Sequence, residues 1–121
     1  MSVFLIVDQD SELREDICVF FRTVGHSLFE ASDFTEAKAR LSEREYDVIV
    51  ASATIRGGTV QELSSSARRL RRDAAVIVYS DIQTIQQGIQ AVENGAFAIV
   101  QKPFSIPELS FQVKRALDAR G

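Results

Sequence analysis

The side chains of this 121-residue chain that could do chemistry fall in four short polar breaks, each following an apolar run. Asp8-Gln9-Asp10 follows Val3–Val7, Ser52 follows Val48–Ala51, Ser80-Asp81 follows Val76–Tyr79, and Lys102-Pro103 follows Phe97–Val100. A serine hydroxyl becomes a nucleophile only with a base beside it, and none adjoins Ser52. No GxxxxGK[ST] loop or GxGxxG turn follows the first run, which removes the main support for nucleotide binding. His26 is the single histidine. One imidazole makes no metal site, so a structural or surface role is expected for it, and no metal ligand set is assigned.

The four breaks need a scaffold, and the pattern between them supplies one. Val3–Val7 reads as a strand buried on both faces, since its run is continuous and partly β-branched. Asp10-Ser11 offers an N-cap, and Leu13, Ile17, Phe20, Phe21 and Val24 follow at helical spacing until Gly25. Ser27–Ala31 is a second strand, and Asp33 with Glu36 opens a helix through about Arg44. Val48–Ala51 is the third strand, followed by the Gly57-Gly58 loop and a helix over Val60–Arg72. Val76–Tyr79 and Thr84–Glu93 form the fourth pair, and Phe97–Val100 is the fifth strand. Ser105-Ile106-Pro107-Glu108 is a capping box for a last helix with Leu109, Val113, Ala116 and Leu117 on one face.

Five β-α units in strict alternation imply an α/β fold, a doubly wound five-stranded parallel sheet with five helices, (βα)5 and flavodoxin-like. A barrel of this kind needs about twice the chain. In a doubly wound sheet the ligand site lies beyond the carboxyl ends of the strands, where all four breaks are found. The length fits a single domain over residues 1–121, able to bury roughly two-thirds of its unfolded surface. Lys+Arg number 14 and Asp+Glu 17, a formal charge of −3 that argues against general nucleic-acid affinity. Cys18 is the only cysteine, which excludes a disulfide scaffold. It is expected as half-buried filler on the first helix. The opening apolar run is too short to span a membrane or to serve as a signal peptide, so a soluble cytoplasmic module is expected.

An acidic cluster after the first strand, a hydroxyl after the fourth and Lys102-Pro103-Phe104 after the fifth resemble the response-regulator receiver domain of the CheY-like superfamily. The resemblance runs the whole length. The spacing from Ser80 to Gly95-Ala96 and on to Lys102 is similar to receivers of transcription-activator type. It implies phosphoryl transfer from a histidine kinase to an aspartate, with two acidic residues holding Mg²⁺ and a lysine and a hydroxyl contacting the phosphoryl group. On that pattern Asp8 and Gln9 fall on the acidic pair, Ser52 on the phosphoacceptor, Ser80 on the hydroxyl and Lys102 on the lysine. Ser80 and Ile99 fall on the switch pair, where the family usually has an aromatic at the second position.

Gln9, Ser52 and Ile99 depart from the pattern. A standard pocket sets three carboxylates against one lysine, a local charge of about −2 that attracts the ion. Here Asp8 and Lys102 nearly cancel, so Mg²⁺ binding is expected to be weak or absent, and no cofactor or catalytic residue is expected. An Asp8–Lys102 ion pair is expected to knit the degenerate pocket instead. Asp10 is expected to cap the first helix, and Asp47 begins its strand at the opposite end of the sheet. Asp81 has two readings, a solvated loop carboxylate or a reach toward Lys102.

What the resemblance then implies is an atypical receiver, not an enzyme, working as a protein-interaction or dimerisation module of a two-component response regulator with a transcriptional output. The last helix would lead into further domains. The alternatives are a receiver with a non-standard acceptor in a phosphorelay and a small-ligand-binding pseudo-receiver. The partner is a protein or a second copy, through the face of the fourth helix, fifth strand and fifth helix, and not nucleic acid or a membrane. On that face Gln83, Gln86, Gln87 and Gln90 are polar and uncharged, and Gly88 predicts a slightly loose helix. Phe111 falls off the apolar stripe of the last helix and reads as an interface residue or a loop contact. Arg68, Arg69, Arg71 and Arg72 form a basic run read as a solvated helix end.

Overall fold

A computed structural model describes residues 2–70 and 74–119. Five strands alternate with five helices: β1 (Val3–Val7), α1 (Ser11–Thr23), β2 (Ser27–Ala31), α2 (Phe34–Glu43), β3 (Val48–Ser52), α3 (Val60–Leu70), β4 (Ala75–Ser80), α4 (Ile85–Glu93), β5 (Ala98–Gln101) and α5 (Ile106–Ala119). A 3₁₀ turn, Ile82–Thr84, precedes α4, because Asp81 caps that turn before the helix proper begins. Arg68 and Arg69 end α3, whereas Arg71 and Arg72 lie outside the described residues.

All strand pairs are parallel, in the order β2-β1-β3-β4-β5. This is the doubly wound arrangement expected from the alternation. β1 sends the chain outward to β2 and then across to β3, so the switch of direction lies between β1 and β3. Side chains alternate between two apolar layers. Phe4, Ile6, Val50, Ile77 and Tyr79 pack under α1 and α5 with Ile17, Phe21, Leu109 and Val113. Leu5, Val7, Ile49 and Val78 pack under α2, α3 and α4 with Leu41, Leu63, Ala67 and Ala91. β3 is buried along its whole length, as a central strand with both faces covered must be.

The helix ends follow from their sequences. The Asp10 carboxylate accepts from the Glu12 and Leu13 amides at 3.1 and 3.2 Å, capping α1. Gly25, at φ 103°, turns the chain beyond α1. Asp33 caps α2 through the Glu36 amide, but Glu36 reaches back to Ser32 rather than to Asp33. At α5 the reciprocal box is complete: Ser105 Oγ accepts from the Glu108 amide and Glu108 Oε1 from the Ser105 amide. These caps fix where each strand-to-helix loop leaves the sheet.

Candidate functional site

The register of the sheet lines up three residues at its carboxyl end. Val7 stands opposite Ala51, so Asp8 stands opposite Ser52, and Ser52 is paired with Tyr79. Asp8, Ser52 and Tyr79 therefore form one transverse row across β1, β3 and β4, on the layer facing α1 and α5. Asp8 is only 3% exposed. Its Oδ1 accepts from the Asp10 amide at 2.9 Å, and its Oδ2 accepts from the Tyr79 hydroxyl. The backbone carbonyl of Asp8 is held by Arg14, whose Nε also donates to Glu30 at 2.9 Å. Arg14 thus ties the end of β1 to the edge strand β2.

Tyr79 is fully buried. Its ring packs against Phe104 at 5.3 Å between centroids, and Lys102 Nζ lies 5.3 Å from its ring centre, a cation-π contact. Burial pushes the phenol's pKa well above its ordinary value. The negative charge of Asp8 and the hydrogen bond to it push in the same direction.

This arrangement corrects the expected Asp8–Lys102 ion pair. Among the described residues, ion pairs join Arg14 to Glu30 and Arg40 to Glu43. The tyrosine stands between the two charges: its hydroxyl takes the carboxylate and its face takes the ammonium. A buried phenol needs a hydrogen-bond partner, and Asp8 is the acceptor within its reach.

The other expected site residues are divided between locations. Ser52 is buried, and its Oγ lies 3.3 Å from Thr54 Oγ1 and accepts from the Thr54 amide at 3.2 Å, so it serves the β3–α3 loop. Gln9 is exposed. Ser80 points to the opposite layer, toward α4, where its buried Oγ has no hydrogen-bond partner among the described residues. Asp81 resolves to a cap: it accepts from the Gln83 and Thr84 amides, each at 3.0 Å. Asp47 bonds the Val3 amide at 2.7 Å, at the far end of the sheet.

Ile99 and Gly88 meet beside Ser80. A Cβ on Gly88 would lie 3.4 Å from both Ile99 and the Ser80 hydroxyl, so the glycine is buried against β4 and β5 rather than loosening a solvated helix. Gln87 is exposed and Gln90 half-buried. Phe111 is 62% exposed, with Ile89 and Val92 of α4 also substantially open. Cys18 is fully buried rather than half-buried, and desolvation raises its thiol to about 12. His26 stacks on Phe4 at 4.5 Å, and its Nδ1 accepts from the Ser2 amide.

The donor set at the row fits a divalent cation poorly. It offers one carboxylate, already bonded through both oxygens, a serine turned to its own loop and an exposed glutamine. Among the described residues no group of three His, Cys, Asp or Glu is placed to hold a metal. A groove lined by Asp10, Glu12, Leu13, Asp16, Asp81, Lys102 and Phe104 runs beside the row, outside the tyrosine.

Tyr79 is the site residue that sequence reading missed. Its signal was its place two residues before Asp81 on a face-alternating strand, which carries meaning only once the register with Ser52 is known.

Comparison with known proteins agrees with the geometry. The family model described as the response regulator receiver domain matches residues 4–114. The phosphate regulon transcriptional regulatory protein PhoB of Pseudomonas aeruginosa is 34% identical over 125 residues, covering 99% of this chain and 53% of that protein. The chain thus spans about half the length of this curated relative. A response regulator receiver domain protein from Clostridium thermocellum superposes with a TM-score of 0.91 at 20% identity, covering 99% of this chain and 97% of that one. The receiver domain of the Francisella response regulator 1452 gives 0.87 at 25% identity, with both chains covered completely. The chemotaxis response regulator CheY4 of Vibrio cholerae gives 0.88 at 21%, covering 97% and 99%. No helix among the described residues is long and apolar enough to cross a membrane.

Proposed function

The chain belongs to the response-regulator receiver family of two-component signalling, and we propose that it serves there as a protein-interaction module that works without aspartate phosphorylation. One observation carries the reading. The central position of the row, where the family's acceptor would stand, holds a buried serine whose hydroxyl is committed to Thr54. An acyl phosphate needs a carboxylate nucleophile, and Ser52 has neither that group nor an adjacent base. The same substitution, together with Gln9, leaves the pocket without the carboxylates that recruit Mg²⁺. The degenerate pocket is therefore a structural feature with no cofactor and no catalytic residue.

The interaction surface in this reading is the α4–β5–α5 face. Phe111, Ile89 and Val92 expose apolar area there, and Gln87 and Gln90 supply neutral hydrogen-bonding groups. Aromatic side chains are enriched at the centres of interfaces. The occupant is a second copy or a signalling protein. By likeness to PhoB, the module acts in the cytoplasm as the input domain of a transcriptional regulator, one domain whose last helix leads toward an output domain.

The test is direct. The chain is incubated with Mg²⁺ and acetyl phosphate or a phosphorylated kinase and then analysed by mass spectrometry. No acid-labile phosphate is expected, and an acyl-phosphate adduct overturns the reading. Sedimentation of the chain and of Phe111→Ala tests the face: association that depends on concentration and weakens in the variant is expected. A concentration-independent monomer in both removes the self-interface.

A further inference from the structure

Strands in a sheet lie about 4.8 Å apart, so the backbones of Asp8 and Tyr79, with β3 between them, stand roughly 10 Å apart. The phenol closes that gap to hydrogen-bond Asp8. Its ring therefore crosses the row above Ser52, the residue paired with Tyr79 on the intervening strand. Serine leaves the clearance for this crossing. A longer, charged side chain at position 52 would enter the space the ring occupies and would face the Asp8 carboxylate besides. The tyrosine hydroxyl in turn supplies Asp8 with the positive dipole that a bound cation would supply elsewhere. Lys102 sits over the ring, away from Asp8, so it too is diverted by the same side chain.

We propose that Tyr79 is a built-in plug: its ring fills the space of the phosphoryl group, its hydroxyl takes the oxygen of Asp8 that a divalent cation would need, and Ser52 and Tyr79 act as one coupled pair. This rests on the reading above that the pocket is retired, and it adds a third determinant to Gln9 and Ser52. Restoring carboxylates at positions 9 and 52 is therefore insufficient to restore the chemistry. With the plug in place, the strand ends of β1 and β4 are tied across β3, and the pocket has one state.

The experiment compares Gln9→Asp/Ser52→Asp with the same pair carrying Tyr79→Leu. Mg²⁺ affinity is measured by calorimetry, and phosphoryl transfer from acetyl phosphate by mass spectrometry. In that transfer the phosphoryl group leaves acetate and bonds to the carboxylate oxygen introduced at position 52. The triple variant is expected to bind Mg²⁺ at least tenfold more tightly than the pair and to take the phosphoryl group where the pair does not. Equal Mg²⁺ affinity and equal phosphorylation of the two overturn the plug while leaving the reading of the unmodified chain intact. An acyl phosphate on the unmodified chain overturns that reading instead. If circular dichroism shows the triple variant unfolded, Tyr79→Phe in the same pair decides. Losing the hydroxyl alone frees an Asp8 oxygen, so a several-fold gain in Mg²⁺ affinity is expected and an unchanged affinity overturns the proposal.

Discussion

On the side of the sheet covered by α1 and α5, the polar atoms at the strand ends satisfy one another. Asp8 has the Asp10 amide and Tyr79, Tyr79 has Asp8 and the face contact with Lys102, and Ser52 has Thr54. At the α4–β5–α5 face, Ser80 keeps a buried hydroxyl with no partner among the described residues, beside Gly88 and Ile99. The same face exposes Ile89 and Val92 of α4 and Phe111 of α5. A buried unpaired hydroxyl costs about 1–3 kcal/mol, and exposed apolar area gains when covered. The first side has little left to gain from a ligand, and the second has free energy to recover from a partner. The contrast is what the proposed reading requires, a closed pocket at one place and a surface that gains from being covered at another.

The largest expected effect lies on the closed side. Tyr79→Ala removes a fully buried aromatic and its hydrogen bond to Asp8, so it should destabilise by about 3–5 kcal/mol in urea unfolding. Phe111→Ala on the open side should change stability by no more than about 0.5 kcal/mol. Similar costs at the two positions would break the comparison.

Alkaline pH sharpens it next. The chain has two tyrosines, and burial raises the pKa of both phenols above the ordinary value of 10.0. The unfolded chain releases these protons above about pH 10, and the Cys18 proton from about pH 9, while the native state holds them, so stability falls as pH rises through that range. Tyr79→Phe should flatten the fall, leaving the parts due to Tyr46 and Cys18. An unaltered slope would mean that the Tyr79 hydroxyl is not buried against Asp8 in solution.

Local devices were legible in the residues themselves: the unbroken apolar run of β1, the Asp10 cap, and the Ser105–Glu108 box all depend on neighbours within four positions. What escaped depends on register. Tyr79 reads as one more apolar strand residue until strand order sets it beside Ser52, two strands from Asp8. The expected Asp8–Lys102 pair failed for the same reason: opposite charges at one end of the sheet suggest contact, but β3 and β4 separate their strands and a third side chain reaches both first. Gly88 shows the limit of propensity. Its cost to an isolated helix is local, whereas its place against Ile99 and Ser80 is set by packing of α4 on β4 and β5.

On the open side, Gly88→Ala should stabilise by about 1 kcal/mol, the propensity difference within a helix. The added Cβ meets Ile99 and Ser80 at 3.4 Å, an ordinary contact. Thermal unfolding reads the sign. A loss rather than a gain would mean that α4 packs closer to the sheet than the structure has it, and that the open side is tighter than the comparison allows.

Lys102→Ala should have the smallest effect. A lysine in a buried pair with Asp8 would cost about 3–5 kcal/mol to remove, because the carboxylate would be left uncompensated. Here the half-buried ammonium only covers the Tyr79 ring, at 5.3 Å, and Asp8 keeps both of its donors without it. Such a contact is worth about 0.5–1 kcal/mol near the surface. Urea unfolding of Lys102→Ala and of a Tyr79→Phe/Lys102→Ala double variant separates the cases. A small loss, little changed when the hydroxyl is absent, places Lys102 on the ring. A loss of several kcal/mol that disappears in an Asp8→Asn background would put the ion pair back and take the tyrosine out of the middle.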